Sequence, residues 1–325
     1  MEFTCCTLWI WGLLCFLVIL LVPLALMLVP AILTYITPDG RRKRRLINQI
    51  PGPTCLPVIG HILGALMSRQ RLLEYRRENC IKYYPIYKIW FLHQPLVNIV
   101  GPEYVEAILR SSKHIDKGWV YRYFKPWLGE GLLTSGGEKW FSHRKMLTPT
   151  FHFKILEEFI PMFAENSSAL ADRLSVEALT GKPFDIVPII SQCTLNIICE
   201  SAMGIKLDRE DEEQRKYIAA IHEYGIVLYN RIVKPWYSVD LLFNISSLAR
   251  KQSETLKILH GFTEKVIKDK KMEYIKNKSE GSDEPVEKRR RRKVKAFLEL
   301  LIELSMEENL LTDQEIREEV NTFMF

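Results

Sequence analysis

The sequence lacks the short motifs that mark the commonest catalytic and nucleotide-binding sites. It has no glycine-rich phosphate loop, no H-E-x-x-H and no G-x-S-x-G. These absences exclude a P-loop nucleotide site, a helix-borne zinc protease site and the nucleophile elbow of the serine hydrolases. The seven histidines do not pair at metal-ligand spacing, so the sequence predicts no metal site built from them.

Cysteine pairs are also lacking. The seven cysteines include no C-x-x-C pair, which argues against a structural zinc site. An odd number of scattered cysteines is typical of reduced, mostly buried thiols in a cytosolic environment. They are Cys5, Cys6, Cys15, Cys55, Cys80, Cys193 and Cys199.

Charged side chains are absent from the N-terminal segment between Phe3 and Pro38, where apolar residues predominate. About 20 apolar residues suffice to cross the hydrocarbon core of a bilayer. The sequence therefore predicts one N-terminal transmembrane helix, a signal-anchor within residues 1–38. A cleaved signal peptide is the alternative, but it would need a basic start and a shorter apolar run. The basic run at 41–45 predicts that the body lies on the cytoplasmic side.

The net charge of +6 comes from two short basic runs. Without residues 41–45 and 288–293, the remaining 34 basic and 39 acidic side chains leave −5. A nucleic-acid-binding protein would spread its positive charge over a face, so we expect no nucleic-acid partner. The first run favours membrane lipid as a partner. Residues 276–295 are charge-dense and aperiodic, which predicts a disordered surface loop, with a nuclear signal as the alternative for 288–293.

The rest of the chain divides into a hinge and a mainly helical body. Residues 39–60 combine the basic run with a proline-rich hinge, and its part 51–60 holds three prolines and two glycines. That composition predicts a stiff, extended connector. Residues 84–90 and 95–100 are rich in β-branched and aromatic side chains and predict a hairpin, while helical spacing dominates elsewhere. The expected fold class is mainly α with a small β-sheet, which excludes a doubly wound sheet or a barrel.

One segment of the body carries a candidate binding site. Ser135 and Glu138 have the spacing of a capping box, so a helix should begin there and end near Pro149. On that helix Trp140 and Arg144 are one turn apart and share a face. An indole N–H beside a guanidinium forms a donor pair suited to a carboxylate or a phosphate. Spacing alone leaves open the alternative of a structural tryptophan packed under an arginine stem.

The order of the motifs is distinctive. An apolar anchor, a basic run and a proline-rich hinge precede W-x-x-x-R at 140–144 and L-T-P-T-F-H-F at 147–153. The tail adds A-F-L-E-L-L at 296–301 and L-T-D-Q-E-I-R-E-E-V-N-T-F-M-F at 311–325. Together they resemble the N-terminal part of a microsomal cytochrome P-450, and most of all the family 4 fatty-acid hydroxylases. The resemblance covers all 325 residues and is loose only at 276–295.

The resemblance implies a fold, a cofactor and partners. Residues 61–325 would be the N-terminal part of a haem-thiolate monooxygenase domain, whose iron is held by a cysteine thiolate. Such an enzyme inserts one oxygen atom into a C–H bond of a small lipophilic substrate such as a fatty acid, with electrons from NADPH delivered by a reductase. By resemblance, Trp140 and Arg144 would hydrogen-bond the haem propionates. The expected location is the endoplasmic reticulum membrane, recovered as microsomes.

The sequence departs from the family at the chemical centre. The family's haem-ligating cysteine lies in a glycine- and arginine-containing loop, and none of the seven cysteines lies in such a loop. We therefore assign no catalytic residue and no metal ligand in this chain. The helix predicted from Thr312 and Glu315 stops on Phe-Met-Phe with no terminating glycine or proline. We expect an incomplete fold, cut in mid-helix, and a chain that is inactive alone.

A second hypothesis belongs to another functional class. The chain would then be a non-catalytic membrane-anchored fragment or short isoform that binds membrane or a partner without haem chemistry. Absorption spectra separate the two hypotheses, because a thiolate-type band in the reduced, carbon monoxide-treated protein requires an intact haem-thiolate centre.

Overall fold

The computed structural model describes residue 11 and residues 21–207, 212–280 and 297–325. These fall into two compact units. The first holds the described residues up to Ile115 together with Val227–Arg250, and the second holds those of Asp116–Ile226 and Lys251–Phe325. The described chain is mostly helical with one two-stranded sheet, which confirms the predicted class of mainly α with a small β-sheet.

The elements follow one another along the chain in this order. The helices of the first half are α1 (Leu21–Ile36), α2 (Pro38–Asn48), α3 (Arg69–Lys82), α4 (Pro102–Leu109), α5 (Lys125–Leu128), α6 (Gly137–Leu147) and α7 (Phe153–Glu158). Those of the second half are α8 (Ile160–Ala178), α9 (Val187–Ser201), α10 (Glu212–Val233), α11 (Asp240–Asn244), α12 (Ser247–Glu280), α13 (Phe297–Met306) and α14 (Asp313–Met324). Strands β1 (Ile86–Phe91) and β2 (Gln94–Ile99) pair antiparallel, as the predicted hairpin requires.

The predicted anchor lies largely outside the described residues. In the part that is described, no single helix is both long and apolar enough to span a bilayer. The bent pair of α1 and α2, which meet at 83°, meets the length and composition criterion only when taken together.

The hinge of the first unit docks on strand β1 rather than running free. Gly60 forms isolated bridges with Leu56 and with Phe91, so the segment turns back on itself and is not extended throughout. The Trp90 amide donates to His61 Nδ1 at 3.0 Å, and His61 Nε2 lies 3.2 Å from the Pro53 carbonyl. Since Nδ1 accepts, Nε2 must carry the proton and donate. Side-chain hydrogen bonds thus hold the hinge in place, and composition alone does not reveal them.

Helix α2 is held to the same strand at its C-terminal end. Lys88 Nζ donates to the carbonyls of Asn48 at 3.0 Å and Ile50 at 2.7 Å. Trp90 Nε1 donates to Asn48 Oδ1 at 3.2 Å. The Lys88 ammonium therefore satisfies carbonyls that the helix end leaves without an intrahelical partner. Burial of this side chain lowers the pKa of Lys88.

Helix α14 of the second unit begins with the capping box that the sequence predicts. The Glu315 amide donates to Thr312 Oγ1 at 3.2 Å, and the Thr312 amide donates to Glu315 Oε2 at 3.0 Å. Burial raises the pKa of Glu315, but hydrogen bonds from Thr312 and the charges of Lys139 and His143 outweigh it, so the pKa lies below its ordinary value. The carboxylate form is the one that the cap needs.

Aromatic rings and one fully buried helix face fill the core of the second unit. Trp127 packs edge-on against Tyr224, with ring centroids 5.3 Å apart, and Tyr217 stacks on Phe262 at 4.5 Å. Edge-on and offset pairs of this kind stabilise a core beyond the area they bury. The buried face of α13 consists of Phe297, Leu298, Leu301 and Ile302.

The predicted start of the loop at 276–295 is wrong. Helix α12 runs on to Glu280, so residues 276–280 are helical. Tyr274 and Lys278 of this last part of α12 both donate to Glu307 Oε1, at 2.6 and 3.0 Å. Those two bonds stabilise the helix end, which local composition does not reveal. Residues 281–295 lie outside the described residues.

Replacing Lys88 with Met should loosen α2. Hydrogen bonds from a charged donor contribute about 1.5–3 kcal/mol each, so local opening should rise about tenfold or more. The rate of cleavage after residues 41–45 during limited trypsin digestion of the full chain in detergent measures this opening, and we expect it to increase. The matched control is Lys113→Met, whose side chain is exposed. Equal cleavage rates in both variants would refute the role of Lys88.

Replacing Thr312 with Ala should destabilise the second unit by about 1 kcal/mol, while Thr312→Ser should retain most of the cap. Thermal unfolding followed by circular dichroism measures the difference. Because the folded pKa of Glu315 is lowered, its contribution is present above the ordinary carboxyl pKa and is lost as the pH falls through the folded value. The difference in stability between Thr312→Ala and Thr312→Ser should therefore shrink at acidic pH. A difference in stability that is constant with pH would contradict the capping role of the carboxylate.

Candidate binding site on helix α6

Helix α6 begins one residue later than the sequence predicts, and its cap comes from elsewhere. The cap residue is Gly136, and the Gly137 amide donates to Asp116 Oδ1 at 3.2 Å. The predicted capping box of Ser135 and Glu138 is therefore wrong. Ser135 is buried in the turn before the helix, and its hydroxyl has no partner there. Asp116 lies too far away in sequence for a local pattern to identify it.

Trp140 and Arg144 both lie on α6, as predicted, and one turn separates them. Trp140 is half-buried, and Arg144 is exposed. Within the described residues neither the indole N–H nor the guanidinium has a hydrogen-bond acceptor. The cation above the Trp140 ring is Lys117, whose Nζ lies 5.5 Å from the ring centroid.

The buried side of α6 faces α14. His143 Nδ1 lies 2.7 Å from Glu319 Oε1, and the Leu132 amide donates to Glu319 Oε2 at 3.2 Å. The Glu319 side chain is fully buried, and that of His143 is 7% exposed. With Glu319 in the carboxylate form, which only accepts, His143 Nδ1 donates in this contact. Sequence reasoning missed this pair, since 176 residues separate its members.

Lys139 makes a second polar contact between α6 and α14, beside that of His143 with Glu319. Lys139 Nζ is 3.1 Å from Glu318 Oε2 and 3.7 Å from Glu315 Oε1. Gln314 Nε2 donates to the other Glu318 oxygen at 3.0 Å. The three carboxylates of α14 thus face donors from α6 and from their own helix, which holds the two helices in one register.

Burial disfavours the thiolate form of one described cysteine, Cys199. Within the described residues Cys55, Cys80, Cys193 and Cys199 form no disulfide, and burial raises the pKa of Cys199 to about 12. A thiol with that pKa stays protonated near neutrality, whereas a metal ligand must be the thiolate. Across residues 21–207, 212–280 and 297–325, no group of three or more His, Cys, Asp and Glu side chains is arranged to hold a metal ion.

The chemistry open to α6 follows from this geometry. Its outer side presents an indole N–H and a guanidinium that find no acceptor among the described residues, beside the positive charge of Lys117. Charge-assisted hydrogen bonds from a guanidinium are strong and match the two oxygens of a carboxylate. The helix can therefore bind an anionic group of a ligand.

Comparison with known proteins points to one family. Residues 50–325 match the family model described as Cytochrome P450. Cytochrome P450 4c21 of Blattella germanica is 40% identical over 287 residues, which cover 88% of this chain and 57% of that protein. Cytochrome P450 4V2 of Homo sapiens is 38% identical over 295 residues, which cover 87% of this chain and 55% of that protein. Cytochrome P450 4d2 of Drosophila melanogaster is 34% identical over 303 residues, which cover 92% of this chain and 60% of that protein.

The chain spans somewhat more than half the length of the curated relatives that it matches. The family match nevertheless covers the hinge, the hairpin, α6 and α14 together. The resemblance that the motifs imply is thereby confirmed: the chain belongs to the cytochrome P450 family, and its relatives are family 4 members.

Proposed function

We propose that this chain supplies the propionate-binding helix of a membrane-bound haem monooxygenase. The observation that carries the proposal is the donor pair of Trp140 and Arg144 on α6, which no acceptor in the described structure satisfies. Membership in the cytochrome P450 family supports haem as the group with matching acceptors. Bound haem supplies dioxygen activation with electrons that originate in NADPH and arrive through a reductase.

The residues present fit haem at its carboxylate edge. Arg144 offers a planar fork of N–H donors, and Trp140 offers one N–H that its half-buried ring holds in place. Lys117 adds a positive charge beside the indole. These groups would neutralise and orient two propionates and would keep them away from the apolar core. No described cysteine fits the iron, so the proposal assigns α6 binding and orientation only.

The substrate proposed is a small lipophilic molecule such as a fatty acid, oxidised at a C–H bond. Support comes from the three relatives compared above, which are family 4 members. No residue of this chain is assigned to substrate binding. The reductase is the proposed protein partner.

The location proposed is the endoplasmic reticulum membrane, with a transmembrane anchor at 1–38 and the body in the cytoplasm. Within the described part of this segment, α1 exposes apolar side chains such as Leu24 and Leu26. Helix α2 follows at 83° and carries the basic run, in which all but Arg44 are exposed. A basic helix nearly perpendicular to an apolar one is suited to lie along anionic lipid headgroups.

Arg44 differs from the other four basic residues of α2. Its guanidinium lies 3.8 Å from the centre of the Tyr35 ring and 4.5 Å from that of Trp90, and it donates to the Tyr35 hydroxyl at 2.6 Å. It is thus committed to the bend between α1 and α2. The side chains left for lipid are Arg41, Arg42, Lys43 and Arg45.

Titration of the full chain with ferric protoporphyrin IX tests the binding role of α6. Arg144→Ala should weaken binding about tenfold, since a hydrogen bond to a charged group contributes about 1.5–3 kcal/mol. Trp140→Phe should weaken it less, because it removes one neutral donor. Lys145→Ala is the control, since it removes one positive charge from an exposed position next to Arg144. Equal losses for Arg144→Ala and Lys145→Ala would contradict the proposal and leave only general charge attraction.

Alkaline carbonate extraction of cell membranes tests the anchor. The full chain should stay in the pellet, whereas the double variant Leu24→Arg and Leu26→Arg should be released. Two arginines at the centre of a spanning helix cost about 5–7 kcal/mol on insertion scales. The control pair Leu63→Arg and Leu66→Arg changes exposed residues beyond the hinge and should remain in the pellet. Retention of both double variants would place the membrane contact elsewhere.

A further inference from the structure

We propose that His143 and Glu319 are positioning residues, whose buried hydrogen bond fixes the rotation of α6 so that Trp140 and Arg144 face the carboxylates of the ligand. The inference rests on the proposed function of α6 and adds two residues that contact neither haem nor substrate. It is carried by the geometry between α6 and α14, not by the donor pair itself.

The buried carboxylate of Glu319 needs hydrogen-bond donors from within the protein. Its side chain is fully buried, and its two oxygens accept one hydrogen bond each, from His143 Nδ1 at 2.7 Å and from the Leu132 amide at 3.2 Å. Removing one partner leaves a buried polar oxygen without a hydrogen bond, which costs more than the hydrogen bond itself contributes. Such a pair favours one arrangement of its helices over near alternatives.

The position of His143 on α6 gives this contact its leverage. It lies one residue before Arg144 and three after Trp140, so all three side chains turn with the helix as a rigid body. Side-chain tips lie about 5–6 Å from a helix axis, and a rotation of 20° moves them by about 2 Å. A shift of that size breaks a hydrogen bond, whose useful range is a few tenths of an ångström.

The loop before α6 is fixed by the same helix. The Leu132 amide that reaches Glu319 belongs to this loop. A side chain at Gly131 would collide with Thr322 Oγ1, and one at Gly129 with Glu318. The loop backbone therefore packs directly on α14. Helix α14 thus contacts both the loop that leads into α6 and the buried side of α6.

The neighbouring Lys139 contact is a weaker restraint. Lys139 is 35% exposed and has a flexible stem, so water screens its attraction to Glu318. The charged and titratable groups that face His143 are Glu319 and Glu315 of α14, with Lys139 beside it on α6. Among these only Glu319 makes a short, fully buried contact with the imidazole.

The test compares two ligands that differ only at the propionates: ferric protoporphyrin IX and its dimethyl ester. The full chain in detergent is titrated with each, and the ratio of the two dissociation constants measures recognition of the carboxylates. The wild type should prefer the free acid about tenfold, and Arg144→Ala should bring the ratio near one. His143→Leu should lower the ratio similarly, although residue 143 touches neither ligand.

His143→Asn is the conservative control, because the Asn side-chain amide places an N–H near the position of Nδ1. It should keep most of the wild-type ratio. Glu319→Gln retains one of the two acceptor oxygens and should lower the ratio partly. Glu319→Gln replaces His143→Leu as the test variant if circular dichroism shows that His143→Leu does not fold.

The outcomes separate this inference from the proposed function. If Arg144→Ala lowers the ratio but His143→Leu and Glu319→Gln keep the wild-type value, positioning by the pair is overturned and the donor role of α6 stands. If both ligands weaken equally in His143→Leu, the pair is merely structural, which also overturns the inference. If the wild type does not distinguish the two ligands, the propionate role fails, and the inference fails with it.

Discussion

A fully buried carboxylate sets the strongest constraint on the second unit. Glu319 has no access to water, so its two oxygens must find donors within the protein. They find them in the Leu132 amide and the His143 imidazole, one in the loop before α6 and one on α6 itself. Helix α14 therefore determines where that loop runs and which way α6 is turned. The donors Trp140 and Arg144 take their direction from this internal contact.

The first unit uses the same means at its hinge. Proline and glycine keep residues 51–60 out of helices and strands, but they do not say where the segment lies. Its place comes from three side chains of the first unit. His61 binds the Pro53 carbonyl of the hinge, while Lys88 and Trp90 bind the backbone carbonyl and the side-chain oxygen of Asn48 at the end of α2. In both units, polar side chains that satisfy backbone or buried groups decide the arrangement that apolar packing leaves open.

The features that the sequence predicted correctly are those with a local cause. The hairpin follows from β-branched and aromatic strands, the start of α14 from Thr312 and Glu315, and the shared helix of Trp140 and Arg144 from their spacing. The failures have causes that are distant in sequence. Asp116 caps α6 in place of Ser135, and Glu307 stabilises the end of α12 where composition predicted a loop. The partnership of His143 with Glu319 is invisible for the same reason, although it lies closest to the candidate site.

The central claim is that α6 presents Trp140 and Arg144 to the carboxylates of haem. A crystal structure of the full chain with ferric protoporphyrin IX, grown from detergent, tests it most directly. The claim predicts propionate oxygens about 3 Å from the Arg144 guanidinium and from Trp140 Nε1, with the His143 to Glu319 contact intact. Propionates bound to other residues, with both α6 donors facing solvent, would contradict it.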